Sequence, residues 1–170
     1  PRPYLAILMA DGDNMGHQFR ELGASLSGNL QQFATQCVPE IIKRHNGTLI
    51  YSGGDDTLAF LPLGSALACA REFRAAFKET TGCNLSAGLA IVHYKQDLRE
   101  SLAAARDAEK KAKSAGRDRL ALAVHPRGGA GHTAIIPWDQ FDPFEALLSA
   151  FSQGFSDRWL YRLRQEMESL

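Results

Sequence analysis

The sequence lacks the features typical of a thiolate metal site, a disulfide framework or a membrane span. Its 170 residues contain only three cysteines (Cys37, Cys69 and Cys83), widely spaced and without a CxxC pair, so neither a zinc site nor a disulfide framework is supported. No apolar run approaches the roughly 20 residues that span a bilayer. The chain opens without a signal peptide. We therefore expect a cytoplasmic protein without membrane contacts.

The sequence also lacks an excess of either charge. It contains 19 basic and 19 acidic residues, so a general electrostatic attraction to nucleic acid or membrane gives no argument about function. Hydrophobic residues make up 45% of the chain, enough for a sizeable core. The length fits one domain. Because a strand pattern begins almost at the first residue, we expect a domain that belongs to a longer protein.

Apolar patterns predict strands and helices in the order β-α-β-β-α-β-α-β. Gly16, Gly23 and Gly28 leave residues 14–28 without a helix prediction, and Pro39 is expected to bend the first helix. The first six elements form the split β-α-β, ferredoxin-like arrangement of an α+β fold. The strands are predicted at residues 4–10, 48–52, 57–62, 84–92 and 119–124, and the helices at 29–45, 65–79 and 97–114.

The composition and apolar spacing of the sequence change after residue 126. The segment "PRGGAGH" has the composition of a loop, and residues 133–137 form a short strand pattern. Residues 141–152 and 155–169 each have the apolar spacing of an amphipathic helix. We therefore predict one domain at residues 1–126. Residues 127–170 are predicted to be a loop and a C-terminal helical extension, the start of an adjoining helical domain.

Two acidic turns are the most informative feature of the sequence. Asp11 and Asp13 follow the first strand, and Asp55 and Asp56 lie at the tip of the hairpin "YSGGDDTLAF". Taking the first strand as a neighbour of the second and third, we expect both turns to meet at one sheet edge. Converging carboxylates repel each other unless a divalent cation joins them, and hard oxygen ligands favour Mg²⁺ or Mn²⁺. Ordinary turns of the same composition are the alternative.

The hairpin glycines and a basic helix end fit a nucleotide beside such a metal. Gly53 and Gly54 lack Cβ atoms and would let a nucleotide approach the backbone. Lys113 and Arg117 lie at the end of the third predicted helix and in the turn after it, where they could bind phosphate oxygens. A solvated helix end, where basic residues favour the helix dipole, is the alternative.

Three segments together resemble a known family. "ILMADGDNMG", "YSGGDDTLAF" and "AEKKAKSAGRDRLAL" look like the polymerase/cyclase palm of the large subunit of type III CRISPR-Cas effector complexes, the Cas-ten family, and most like its Cmr-two branch. The resemblance covers roughly residues 4–125. Diguanylate cyclase palms are more distant relatives and usually carry an aromatic residue after the acidic pair, where this chain has Thr57.

The resemblance implies a nucleotidyl cyclase/polymerase-like palm that converts ATP into cyclic oligoadenylate second messengers at a two-metal site. Catalysis would then rest on positioning and charge stabilisation. Other effector subunits, guide RNA and target RNA are the implied partners, together with a second palm or a second copy of this chain. The implied metal ligands are Asp11, Asp55, Asp56 and the Gly12 carbonyl, with Asp13 as a further candidate; Asp11, Asp55 and Asp56 are the implied catalytic residues.

The nucleotide-binding residues follow from the same resemblance and from the turn chemistry. Gly53 and Gly54 match the turn that faces the nucleotide, and Lys113 and Arg117 match positions that touch phosphates. Asn14 and Ser52 are candidates for contacting adenine. Two other functions stay open: a palm that binds ATP and metal only as a scaffold, and a diguanylate or adenylate cyclase outside CRISPR defence. The base and the ring size of the product are not readable from the sequence.

Overall fold

The computed structural model describes residues 3–127 and 131–152. These residues form six strands and six α-helices. The strands are β1 (Tyr4–Gly12), β2 (Thr48–Ser52), β3 (Asp56–Pro62), β4 (Leu85–His93), β5 (Arg119–Val124) and β6 (His132–Pro137). The helices are α1 (Met15–Leu22), α2 (Ala24–Gln32), α3 (Val38–Arg44), α4 (Ala66–Thr81), α5 (Leu98–Ser114) and α6 (Phe141–Ser152), with a π-helical segment at Phe33–Cys37 and a 3₁₀ turn at Trp138–Gln140.

The segment between β1 and β2 differs from the expectation. The glycines at 14–28 predict no helix, yet most of these residues form α1 and the first part of α2; only Gly23, at φ 58°, separates the two helices. The single helix predicted at 29–45 is interrupted by the π-helical segment. A glycine costs only about 1 kcal/mol in a helix, and the buried side chains of Met15 and Leu26 anchor these turns. Pro39 lies in the first turn of α3, where its missing N–H breaks no hydrogen bond.

One mixed sheet carries the first unit of the chain. Its strand order is β2-β3-β1-β4-β5-β6; β4 and β5 are parallel and the other pairs antiparallel. The first four strands have the order of a ferredoxin-like sheet, and the mixed α+β class is confirmed. The expected neighbours of β1 need a correction: β1 pairs with β3 and β4, while β2 is one strand further away. The hairpin therefore meets β1 along β3 and at Asp55, the residue just before β3.

Helix α5 determines where the basic residues lie. It packs on the sheet face that carries Ile7, Ala90 and Val92, with Ala105 buried against them. Gly88 of β4 lies against the backbone of α5 at Ala105 and Glu109, where a Cβ atom would overlap. Because of this close approach, the C-terminal half of α5 runs beside β1 toward the C-terminal end of that strand.

The chain divides into two compact units, residues 1–138 and 139–170. The strand that we placed beyond the boundary at residue 126 is β6, and it pairs with β5 as the last strand of the sheet. In the second unit, α6 has the predicted bounds, and the rings of Phe141 and Phe144 lie 6.4 Å apart. The helix predicted at 155–169 lies outside the described residues. None of the described helices is long and apolar enough to cross a membrane.

Candidate nucleotide and metal site

The two acidic turns meet at the end of β1, because strand pairing brings them there. Asp11 lies directly opposite Asp56 in the β1–β3 ladder. The amide of Gly12 donates a hydrogen bond to the Asp55 carbonyl (3.0 Å), and the amide of Gly53 closes the hairpin by donating to the Asp56 carbonyl (2.9 Å). Three of the four predicted aspartates are thereby brought together by the backbone.

Electrostatic crowding is visible at Asp55. Burial raises the pKa of its carboxyl, and the negative charges of Asp11 and Asp56 raise it further. A hydrogen bond from its own backbone amide and the charge of Lys113 act in the opposite direction without cancelling the rise. A carboxylate whose charged form is disfavoured in the folded protein gains from a cation placed beside it.

Lys113 supplies a positive charge to this edge from α5. Its ammonium group contacts the Asp11 carboxylate and lies 3.2 Å from Oε1 of Glu109. Burial lowers the pKa of Lys113, but the hydrogen bond and charge of Asp11, together with Glu109, outweigh this and raise it overall. The ammonium therefore stays protonated between these two carboxylates.

Sequence reasoning did not single out Glu109 or Tyr51. Glu109 is buried, and its spacing of four residues before Lys113 was the available signal, because such pairs face each other on a helix. The Tyr51 hydroxyl hydrogen-bonds to Asp56, whose charge raises the pKa of the tyrosine. Tyr51 lies diagonally across the hairpin from Asp56, a relation that only the strand register reveals.

Glycine is favoured at each of the two hairpin positions for a different structural reason. A Cβ atom at Gly53 would overlap the Tyr51 hydroxyl and lie 2.6 Å from Oδ1 of Asp56, so any side chain there would displace an acidic residue of the site. Gly54 adopts φ 98°, a left-handed conformation that favours glycine. Both glycines therefore set the shape of the acidic turn.

Asp13 is placed differently from the other aspartates. It is only 3% exposed, and both of its carboxylate oxygens accept hydrogen bonds, from the Ser86 hydroxyl (2.8 Å) and from the Asp118 amide (2.8 Å). These contacts occupy the carboxylate within the protein. The structure thus gives no support to Asp13 as a metal ligand.

The remaining predicted residues lie around this edge in two places. Asn14 and Arg117 are exposed and line a second polar pocket of about 280 Å³. Ser52 lies opposite Thr57 in the hairpin ladder, and the hydroxyls of both are buried without a hydrogen-bond partner. Thr57 is a further residue that sequence reasoning did not select. In this structure the Ser52 hydroxyl is enclosed and does not reach the acidic edge.

A cleft of about 400 Å³ opens beside the acidic edge, between the sheet and α5. Both walls carry charge, and the floor is the backbone and side chains of β1 and β3. Its polar lining is Asp11, Tyr51, Asp56, Thr57, Arg106, Glu109 and Lys110. The volume lies within the range of small-molecule sites.

The carboxylates fit a magnesium or manganese site completed by a ligand. Among the described residues, no three His, Cys, Asp or Glu side chains converge as a finished metal site. Mg²⁺ usually binds one or two carboxylates together with water and substrate phosphates. The crowded Asp55 and its neighbours Asp11 and Asp56 meet that requirement without a complete protein cage.

The fold and this edge define a palm domain with a cyclase-like architecture. The chain belongs to the Cas10/Cmr2 family: the model of the Cas10/Cmr2 second palm domain matches residues 4–121. A curated relative, the CRISPR system Cmr subunit Cmr2 of Pyrococcus furiosus, is 30% identical over 213 residues, covering 99% of this chain and 24% of the relative. The chain thus spans about a quarter of that protein.

Solved structures are similar in fold. A crystal structure of the Csm1–Csm4 cassette in complex with cA4 has a TM-score of 0.70 at 20% identity, covering 81% of this chain and 23% of that one. The guanylyl cyclase Cya2 has a TM-score of 0.54 at 14% identity, covering 78% of this chain and 89% of that one. At these identities the likeness concerns the fold alone.

Proposed function

We propose that this chain is a metal-dependent nucleotidyltransferase palm that uses ATP to make cyclic oligoadenylates in type III CRISPR defence. The observation that carries the proposal is the acidic edge: Asp11 opposite Asp56, the Asp55 carbonyl bonded to Gly12, and the Lys113 ammonium on Asp11. A scaffold has no need to hold repelling carboxylates beside an open cleft. A nucleotidyltransferase needs them for its metal ions and substrate.

Asp11, Asp55, Asp56 and the carbonyl of Gly12 would hold Mg²⁺ or Mn²⁺. The bound ions would supply charge stabilisation for the attacking and leaving oxygens. Asp13, whose carboxylate is engaged elsewhere, is left out of the ligand set. The raised pKa of Asp55 is consistent with this assignment, because a cation beside the carboxylate would favour its charged form.

The other residues would position the nucleotides. Lys113 and Arg117 would bind phosphate oxygens, and Gly53 and Gly54 would leave room for the nucleotide at the hairpin. Asn14 is the accessible candidate for contacting adenine; Ser52 would require the hairpin to open. The 3′-hydroxyl of one ATP attacks the α-phosphate of another. A new phosphodiester bond forms, the bond to pyrophosphate breaks, and the hydroxyl proton passes to solvent.

The expected partners come from the relatives. The Pyrococcus furiosus relative is a Cmr subunit, and the Csm1–Csm4 cassette pairs two subunits and binds cA4. By analogy we propose that this palm works within an effector complex with guide RNA and target RNA in the cytoplasm. A second palm, or a second copy of this chain, would hold the other ATP. The activity of the whole protein is included in this proposal, since the chain matches only part of its relative.

Calorimetric titration of ATP into the 170-residue chain tests the proposal, first with Mn²⁺ and then with a chelator. We expect binding that requires the metal and that is lost in the Asp55→Ala, Asp56→Ala double variant. Pyrophosphate release and mass spectrometry of the products then test turnover. Metal-dependent binding without pyrophosphate release would favour the scaffold function for this chain.

GTP in the same titration tests the other candidate, a cyclase with guanine specificity. The likeness of the fold to the guanylyl cyclase Cya2 is the observation that favours it. Preference for GTP would support that function. Preference for ATP would support oligoadenylate synthesis, and no metal-dependent binding of either nucleotide would contradict both.

A further inference from the structure

Asp13 is the aspartate of the "DGDN" turn that the proposed function does not use. It lies two residues after Asp11, at the point where β1 ends, and it is enclosed by the protein. Its Oδ1 accepts the Ser86 hydroxyl of β4, and its Oδ2 accepts the Asp118 amide from the turn after α5. A buried carboxylate with two specific donors ties together the elements that supply them.

The turn that Asp13 contacts has an unusual backbone. Gly116, Arg117 and Asp118 all have positive φ, at 124°, 62° and 48°. For residues other than glycine, a sparsely populated conformation of this kind costs on the order of 1–3 kcal/mol and persists only when the surroundings hold it. Two such residues in succession therefore require strong local contacts.

The contacts that hold this turn converge on Asp118. Its amide donates to Asp13 (2.8 Å), its carboxylate forms an ion pair with Arg74 of α4 (3.2 Å), and its carbonyl accepts the Trp138 amide (3.3 Å). The amide of Arg117 donates to the Ala112 carbonyl of α5 (3.2 Å). Of these, only the bond to Asp13 joins the turn to the end of the strand that carries Asp11.

The direction of the Arg117 side chain depends on the backbone conformation of this turn. Its side chain lines the polar pocket of about 280 Å³ that also contains Asn14 and Asp13. If φ at Arg117 relaxed to a negative value, the Cα–Cβ bond would point elsewhere. The conformation of the turn thus decides whether the guanidinium group stays beside the β1 end.

We propose that Asp13 is a positioning residue: through the Asp118 amide it fixes the turn at residues 116–118 and so holds Arg117 toward the phosphates of the nucleotide. The inference rests on the proposed function for its ligand, and on the geometry of the turn for its mechanism. Asp13 acts through Arg117 and does not bind the metal.

Two substitutions separate positioning from metal binding. An asparagine at residue 13 can accept from the Asp118 amide and donate to the Ser86 hydroxyl, whereas an alanine can do neither. Positioning predicts that Asp13→Ala weakens ATP binding about tenfold, the loss of one hydrogen bond to a charged group, and that Asp13→Asn stays near the wild type. Equal losses of Mn²⁺ affinity in both variants would overturn the proposal, because asparagine removes a ligand charge as alanine does.

A double-mutant cycle tests whether the effect passes through Arg117. Residues that act as one unit give non-additive effects. We expect Asp13→Ala with Arg117→Ala to bind ATP no more weakly than Arg117→Ala alone. Additive losses would overturn the proposal. Ser86→Ala is the matched control: it removes the other partner of Asp13 but leaves the Asp118 bond, so ATP affinity is expected to change little.

Amide hydrogen exchange at Asp118 tests the mechanism independently of any nucleotide. A hydrogen-bonded, structured amide exchanges slowly, and the rate reports local opening. We expect slow exchange in the wild type, Asp13→Asn and Ser86→Ala, and fast exchange in Asp13→Ala. Fast exchange in the wild type would overturn the proposal, even if Asp13→Ala failed to fold. If the wild type binds no nucleotide, the proposed function fails while this measurement still decides whether Asp13 holds the turn.

Discussion

Asp11 and Asp13 are two residues apart in one turn, yet their surroundings are opposite. The Asp11 side chain is 35% exposed, faces two other carboxylates across a hairpin and contacts a lysine that also serves Glu109. Asp13 is 3% exposed and accepts one hydrogen bond at each oxygen. Asp11 thus lies among other charged groups at an open edge, whereas each oxygen of Asp13 has a hydrogen-bond donor inside the protein.

The difference teaches how to separate ligand-binding from structural carboxylates in one motif. The Asp13 carboxylate accepts its hydrogen bonds from two neutral donors, the Ser86 hydroxyl and the Asp118 amide. The carboxylates that we propose as metal ligands are crowded instead: at Asp55, burial raises the pKa and the charges of Asp11 and Asp56 raise it further. This distinction rests on contacts. It can therefore be tested by removing the crowded carboxylates or Asp13 and measuring stability and binding separately.

The largest effect is expected from removing the crowded carboxylates. The Asp55→Ala, Asp56→Ala double variant should lose more than about 100-fold in metal-dependent ATP affinity, because even outer-shell partners of a metal contribute 10–100-fold. The fold should remain, since these residues lie at a hairpin tip and contribute little apolar burial. Calorimetry with Mn²⁺ measures the first effect and thermal unfolding in chelator the second.

Its control is Asp139→Ala, which removes an acidic residue from the 3₁₀ turn after the sheet. The control should bind ATP as the wild type does. A double variant that unfolds at a much lower temperature than the wild type in chelator would show that the acidic edge stabilises the fold. The acidic edge would then be structural, as Asp13 is, and the proposed difference between them would be wrong.

The next effect is on the free energy of unfolding. In the turn that holds both aspartates, we expect a larger loss of stability from removing Asp13 than from removing Asp11. Asp13→Ala leaves the Ser86 hydroxyl and the Asp118 amide without their partner, which should cost about 1–3 kcal/mol of unfolding free energy. Asp11→Ala removes a half-exposed ion pair, worth less than about 1 kcal/mol. Urea unfolding of both variants in metal-free buffer gives the two values. Equal losses would mean that Asp11 is as structural as Asp13.

A smaller effect is expected at Lys113. Lys113→Ala should weaken ATP binding about tenfold, as expected for losing one charge-assisted hydrogen bond. Mn²⁺ affinity should hold steady or rise, because the ammonium no longer contacts Asp11. Lys111→Ala is the matched control, since Lys111 lies two residues away on α5 and hydrogen-bonds to Thr133. Parallel losses of ATP and Mn²⁺ affinity would indicate that Lys113 holds the carboxylates in place and does not bind phosphate.

The sequence was sufficient to predict the α+β class and the convergence of Asp11 with the Gly-Gly-Asp-Asp hairpin. Apolar runs and turn residues are local signals for strands and hairpins. The full strand order is not local, and the expected pairing of β1 with β2 was wrong. Gly16 and Gly28 misled the helix prediction, because burial of Met15 and Leu26 outweighs the low helix propensity of these glycines, whereas Gly23 does separate α1 from α2. Tertiary packing of that kind leaves no signal in the local sequence.

The side-chain environments could not be predicted in the same way. "DGDN" presents Asp11 and Asp13 as equivalent, and only the arrival of Ser86 and Asp118 from distant parts of the chain makes Asp13 structural. Tyr51 and Glu109 were missed for the same reason, since their roles depend on strand register and on how closely α5 approaches Gly88. A motif fixes residue types, whereas the fold decides which of them remain available to a ligand.

The smallest expected effect is a pH dependence of stability at Asp55. Because burial, Asp11 and Asp56 raise its pKa in the folded state, the folded protein binds this proton more tightly than the unfolded chain does. The charged form therefore costs stability above the folded-state pKa, and the cost disappears as the pH falls toward the ordinary aspartate value of about 3.9. Asp55→Asn, which is never charged, should be slightly more stable than the wild type at pH 7 in chelator, with a difference that shrinks toward pH 4. Thermal unfolding of both proteins across this range measures it, with Asp107→Asn on the exposed side of α5 as the control. A difference that does not change with pH would mean that the pKa of Asp55 is not raised in the folded protein, and would remove the electrostatic contrast between the acidic edge and Asp13.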